Sequence, residues 1–194
     1  MSSDAHGEAR PARVPLRYHL PNALTLARVA ALPVFWLLLW NTDDGHSLAA
    51  GLLFGVMALT DYLDGYLARR FDHTTRFGRV VDPIADRLLI NSAVLLLWWH
   101  DRIPLVAALL IIARDFVLLA GLKEAAKRGY ELSVIYLGKL ATGILMTSLF
   151  LLMLTTPDSE WPLYLFYLGL ALAIAAGAVY LVTARGRLAG TQTS

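Results

Sequence analysis

A chain of 194 residues that is 57% hydrophobic and 16% charged, with a mean hydropathy of +0.56, is too apolar for an ordinary soluble domain. The composition points to an integral membrane protein, and the length leaves room for one helical bundle and no separate soluble domain. With no cysteine, disulfides, thiolate metal sites and cysteine nucleophiles are excluded, and the net charge of +2 matters less than where the charges lie.

The polar breaks divide the sequence into a tail, 1–19, a membrane domain, 20–185, and a cytoplasmic tail, 186–194. Within the domain lie six apolar segments, near 23–40, 48–68, 80–99, 103–122, 134–155 and 161–184. Each is close to the ~20 residues that a helix needs to cross ~30 Å of hydrocarbon, so the expected fold is an all-α bundle of six transmembrane helices. The tail is polar and lacks an apolar core ending in a small-residue cleavage site, so the first span is expected to be uncleaved. Arg17 and Tyr18 stand among apolar residues at 14–19, which predicts a short interfacial helix before that span.

The first span carries Asn22, Thr25 and Arg28. Asn22 suits either a helix cap or a ligand contact, whereas Arg28, two turns in, is too deep to ignore: it could snorkel to the headgroups, but a bound phosphate or one of the aspartates is the better expectation. In the second span Gly51-x3-Gly55 marks a close-packing face, within the bundle or between subunits, and the span ends in Asp61-x2-Asp64-Gly65-x2-Ala68-Arg69. The third opens with Gly78-x3-Asp82-x3-Asp86. Arg114 and Asp115 interrupt the fourth; as neighbours on a helix they are expected to point apart, one into the site and one toward another helix. The fifth begins Gly138-Lys139-Leu140-Ala141-Thr142. Trp36, Trp40, Trp98, Trp99, Trp161 and Tyr164 gather near the opposite ends of the spans, as interfacial anchors do, and His100 lies there too without a metal partner in sequence.

Orientation follows from the basic residues. Arg10, Arg13, Arg17, Arg69, Arg70, Arg76, Arg79, Lys123, Lys127, Arg128, Arg185 and Arg187 flank one side of the spans, against Arg102 alone on the other, where Asp43, Asp44, Asp101, Asp158 and Glu160 lie. The positive-inside rule therefore puts both termini in the cytoplasm. Asp61, Asp64, Asp82 and Asp86 then fall within about two turns of the inner face. Each pair projects from one face of its helix, three or four residues apart. If the two helices are antiparallel neighbours, four carboxylates converge, and they would repel one another and take up protons unless neutralised. An all-oxygen donor set with no His or Cys suits Mg²⁺ or Mn²⁺. Gly65 and Ala68 keep a shallow strip beside the carboxylates, and the arginines between the second and third spans add cations, so metals and strip together suit a diphosphate. For Arg70 and Arg76 the plainer expectation is that they only set topology. No nucleotide P-loop, dinucleotide fingerprint, zinc motif or Ser-His-Asp order is present, and nothing points to nucleic acid.

The run from Asp61 to Asp86 places eight defined residues over 26 positions, and it resembles the whole motif of the CDP-alcohol phosphatidyltransferases. Pro21-Asn22-x2-Thr25-x2-Arg28 resembles that family's opening helix and Gly138-Lys139-x2-Thr142 its fifth-helix element, so the similarity covers roughly 20–185. The resemblance implies a transferase that moves the phosphatidyl group of CDP-diacylglycerol to an alcohol and releases CMP. It implies Asp61, Asp64, Asp82 and Asp86 as ligands of two Mg²⁺ or Mn²⁺ ions, with Asp86 also the general base. It implies Gly65, Ala68, Arg69, Gly78, Asn22 and Thr25 as the seat of the CDP portion, Arg28, Arg114 and Lys139 as acceptor contacts, and a homodimer in the cytoplasmic membrane. The opening and fifth-helix elements resemble the glycerol-lipid branch, whose acceptors are glycerol-3-phosphate or phosphatidylglycerol. Phosphatidylglycerophosphate synthase ranks first. Cardiolipin synthase follows, because Ala141 replaces the second lysine of the Gly-Lys-x-Lys-Thr carried by many of the former, and Arg114-Asp115 resembles the latter. Among other classes, a cation-coupled transporter would carry its carboxylates near the bilayer midplane, and an intramembrane prenyltransferase would need more spans.

Overall fold

The computed structural model describes residues 20–71, 78–127 and 136–190, with side chains described for 26–63, 87–118 and 136–179. Six helices and no strand occur among them: α1 Leu20–Trp40, α2 Leu48–Phe71, α3 Gly78–Trp99, α4 Leu105–Lys127, α5 Tyr136–Leu154 and α6 Trp161–Gly190. Each apolar segment has become one helix, with limits set by local chemistry. The interfacial helix expected at 14–19 lies outside the described residues. Asn22 falls inside α1 rather than ahead of it, so the cap reading is not met.

Helix ends at one pole of the bundle are closed by specific bonds. At the end of α1 the Asn41 side chain donates to Leu37 O at 2.7 Å and Thr42 Oγ1 to Leu39 O at 2.6 Å, satisfying carbonyls that the helix leaves open. Ser47 caps α2, its Oγ accepting from Ala50 N at 3.1 Å. At the end of α3 Arg102 N donates to Leu97 O at 2.9 Å and Asp101 N to Trp98 O at 3.0 Å, the paired bonds of a Schellman turn. That turn puts Asp101 at φ 56°, where glycine is the usual occupant. Pro162 stands in the first turn of α6, where its missing N–H costs nothing.

Helices α5 and α6 form the most closely packed pair; α2 packs on α1 and α5, α3 on α1, α4 and α5, and α4 also on α6. Phe35, Phe54, Leu89, Leu97, Ile111, Leu149 and Phe166 fill the centre, and Phe35 and Phe54 meet ring to ring at 5.9 Å. The small-residue face of α2 is spent inside the bundle. A Cβ on Gly51 would stand 2.8 Å from Leu154 Cδ2, and one on Gly55 2.9 Å from Phe150 Cε2, so these glycines let α2 close on α5.

The exterior is apolar. Leu37, Leu52, Val56, Leu59, Val106, Leu109, Phe116 and Ile174 all face outward, far more than scattered surface residues of a soluble domain require. By length and composition the stretches Tyr136–Leu154 and Trp161–Val179 are long and apolar enough to cross a membrane, and Leu26–Trp40, Leu48–Leu63 and Arg87–Trp99 are shorter apolar stretches. Trp36, Trp40, Trp98, Trp99, Trp161 and Tyr164 gather at the pole formed by the ends of α1, α3 and α5 and the starts of α2, α4 and α6. Trp40 stacks on Trp99 at 5.2 Å, and Trp161 and Tyr164 are exposed at the start of α6.

Candidate active site

The aspartate run lies at the other pole. Asp61 and Asp64 occur in the second half of α2 and Asp82 and Asp86 in the first half of α3, so the four residues share one half of the bundle. Helices α2 and α3 both pack on α1 and α5, and among the described residues no extensive contact joins α2 to α3.

Helix α1, running between them, carries the charge that answers one carboxylate. Arg28 is 3% exposed, and its Nη1 stands 2.8 Å from Asp61 Oδ1. A guanidinium this deep needs a carboxylate, and Asp61 supplies it. Arg28 is thus held on the first aspartate of the run. Asn22 and Thr25 belong to the same helix nearer its start, and Gly65, Ala68, Arg69 and Gly78 to the α2 and α3 backbones around the aspartates, with side chains outside those described.

The fourth helix adds a second charged group, and here the expectation fails. Arg114 and Asp115 do not point apart. The long arginine side chain bends back so that its Nη1 reaches Asp115 Oδ1 at 2.9 Å, and the same oxygen accepts a close bond from Arg87 Nη1 of α3. Asp115 is 2% exposed and serves two guanidiniums, leaving one net positive charge in a region of low dielectric. Asp115 Oδ2 and Arg114 Nε have no hydrogen-bond partner among the described residues. Sequence reasoning passed over Arg87. A signal was available: Arg87 and Asp115 carry opposite charges on consecutive spans, about 14 and 18 Å from the same ends of their helices at 1.5 Å per residue.

Lys139 faces elsewhere. It lines an open groove of about 530 Å³ with Tyr62, Tyr136, Leu140, Gly143, Ile144, Thr147 and Leu165, between α2, α5 and α6. Tyr62 follows Asp61 directly, so the groove runs up to the aspartate end of α2. Ala141, two residues on from Lys139, is fully buried. No group of three or more metal-ligating side chains occurs among the described residues, of which Asp61 is the one member of the aspartate run. That donor is a partly exposed carboxylate beside an arginine, an oxygen ligand of the type hard cations select.

At the far pole a cavity of about 430 Å³ is lined by Asp43, Asp44, His100, Asp101, Arg102 and Glu160. Burial pushes the Arg102 guanidinium below its usual range, with Asp44 partly opposing the shift, and its Nη2 donates to Thr155 O at 3.0 Å. His100 lies among carboxylates here, at the end opposite the aspartate run.

The all-helical bundle has an apolar exterior and, buried within it toward the aspartate run, the ion pairs of Arg28 with Asp61 and of Arg87 and Arg114 with Asp115. The chain belongs to the CDP-alcohol phosphatidyltransferase family, whose model matches residues 18–181. It is 38% identical over 142 residues to a CDP-diacylglycerol–glycerol-3-phosphate 3-phosphatidyltransferase of Rickettsia typhi, covering 73% of this chain and 79% of that protein. It is 35% identical over 175 residues to the protein of the same name from Shigella flexneri, covering 86% and 91%. A cardiolipin synthase (CMP-forming) of Streptomyces coelicolor is 39% identical over 146 residues, covering 73% and 67%.

Proposed function

We propose that this enzyme transfers the phosphatidyl group of CDP-diacylglycerol to glycerol-3-phosphate, releasing CMP, from a six-span bundle whose aspartate end faces the cytoplasm. The observation that carries the reading is the run from Asp61 to Asp86, delivered by α2 and α3 to one end of the bundle and tied to α1 through Arg28. Relatives with the phosphatidylglycerophosphate synthase name cover most of the chain and support this acceptor.

Asp61, Asp64, Asp82 and Asp86 would hold two Mg²⁺ or Mn²⁺ ions, an assignment supported by their all-oxygen chemistry and their shared end of the bundle. Such ions supply charge neutralisation for the diphosphate and its leaving CMP. The chain's own groups do the rest. Gly65 and Ala68 keep the α2 face shallow so that the CDP portion can approach the backbone, with Arg69, Gly78, Asn22 and Thr25 around it. Asp86, one turn from Asp82, accepts the proton of the incoming hydroxyl. Arg28 maintains Asp61 in place and adds positive charge beside the diphosphate, and Arg114 and Lys139 add positive charge for the acceptor from α4 and α5. The groove lined by Tyr62 and Lys139 is open and largely apolar, suited to the chains of a lipid.

A second acceptor, phosphatidylglycerol, is favoured by the fully buried Ala141, which puts no cation where many glycerophosphate-using members carry one, and by the Streptomyces relative. The test separates the two. Purified protein with CDP-diacylglycerol and Mn²⁺ or Mg²⁺ is given each acceptor in turn, with CMP release and lipid product followed by mass spectrometry. Phosphatidylglycerophosphate is expected, and its formation should stop on chelation and return with added metal. Cardiolipin instead would move the chain to the second reading, and no CMP with either acceptor would count against both. Two copies of the chain per particle, expected of a homodimer, are checked by light scattering in detergent.

A further inference from the structure

Arg87 directly follows Asp86, yet its guanidinium is turned away to α4, where it shares Asp115 Oδ1 with Arg114. Such an arrangement is costly to form: Asp115 is 2% exposed, and a buried carboxylate loses its hydration unless cations replace it. Its two partners differ in situation. Arg114 belongs to the same helix, whereas Arg87 is drawn across from α3, and its side chain remains 24% exposed. The Arg114 to Asp115 bond, 2.9 Å between neighbours in sequence, also demonstrates that an arginine can fold back onto the carboxylate next to it. Arg87 is likewise a sequence neighbour of a carboxylate, Asp86, in the reverse order, and long helical side chains lean toward the preceding turn. Without Asp115, Arg87 would meet Arg114 as a like charge, and the nearest carboxylate of its own helix would be Asp86.

We propose that Asp115 is a positioning residue of the reaction: by holding Arg87 against α4 it keeps that guanidinium off Asp86 and leaves the aspartate cluster able to bind cations. The inference rests on the assignment of Asp86 to the metal site. It assigns Asp115 no contact with substrate. Its effect is exerted through Arg87.

The test is Mn²⁺ binding to the purified full chain in detergent, followed by electron paramagnetic resonance in the absence of substrate. In Asp115→Asn the Mn²⁺ dissociation constant should rise roughly two- to fivefold, the effect of about one competing ion pair. Asp115→Glu, which keeps the charge, should retain most of the wild-type affinity. Asp115→Asn combined with Arg87→Gln should recover it, because the competing cation is gone. Arg87→Gln alone leaves Asp115 balanced by Arg114 and should bind Mn²⁺ at least as tightly as wild type, which keeps the inference testable if Asp115→Asn does not fold. A purely structural Asp115 would lower the melting temperature and leave Mn²⁺ affinity unmoved; that result, or a loss of affinity in Arg87→Gln, would overturn the inference. Absence of Mn²⁺ binding by the wild type would overturn the metal site itself and the inference with it.

Discussion

Charged side chains in this protein are understood in pairs. Arg28 lies in an apolar helix at 3% exposure because Asp61 is 2.8 Å away, and Asp115 is tolerated at 2% because two arginines meet it. Deleting one member of such a pair strands the other, so Arg28→Leu is expected to destabilise the bundle by about 3–5 kcal/mol, read as a lower unfolding midpoint in detergent. Asp86 differs, since the role proposed for it is proton transfer rather than pairing. Asp86→Asn keeps the size of the side chain and removes its basicity; turnover should fall to background while CDP-diacylglycerol binding, measured on the purified protein, is largely preserved. The aspartates were legible from sequence because carboxylates at the edge of an apolar span are energetically conspicuous. The partner of Arg28 was foreseen as a phosphate or an aspartate without a choice between them. The bent Arg114 to Asp115 bond was misjudged, because helical spacing describes where Cβ atoms point and not where a long flexible side chain ends.

Helices were the most readable elements, since each apolar segment between polar breaks became one helix with limits shifted by a few residues. Lateral order was not readable, because apolar helices of similar composition carry no code for which neighbour they choose. The bridging of α2 and α3 by α1 therefore had to come from the structure. The glycine face of α2 did carry such a code, left open in sequence and resolved by its packing on α5. Gly51→Val should cost about 1–3 kcal/mol, because Leu154 and Met153 already occupy the space where its side chain would go. The Schellman turn gives a prediction of the opposite sign. Asp101 holds φ 56°, so Asp101→Gly should raise the unfolding midpoint slightly and Asp101→Val should lower it, by about 1–2 kcal/mol of backbone strain.

At the scale of the whole molecule, orientation rests on where the basic residues fall, and the absence of cysteine makes it simple to check. In intact cells Ser159→Cys, in the turn before α6, should react with a membrane-impermeant maleimide, whereas Ser194→Cys should react only after permeabilisation; the reverse pattern would turn the aspartate end to the outside. The far pole is also laced together. Ser47 N donates to Met153 O at 2.9 Å, Arg102 bonds Thr155 O, and Gly45 is pressed so closely on His100 that a Cβ would stand 2.9 Å from that residue's own. A helix anchored at this pole acts as a lever about it. Helix α2, 24 residues long, extends about 36 Å, so a tilt of about 5° at the fastened end would carry the aspartate end about 3 Å sideways. Small angular changes at the laced pole are thus magnified at the end that carries the aspartates, in proportion to the length of helix between them.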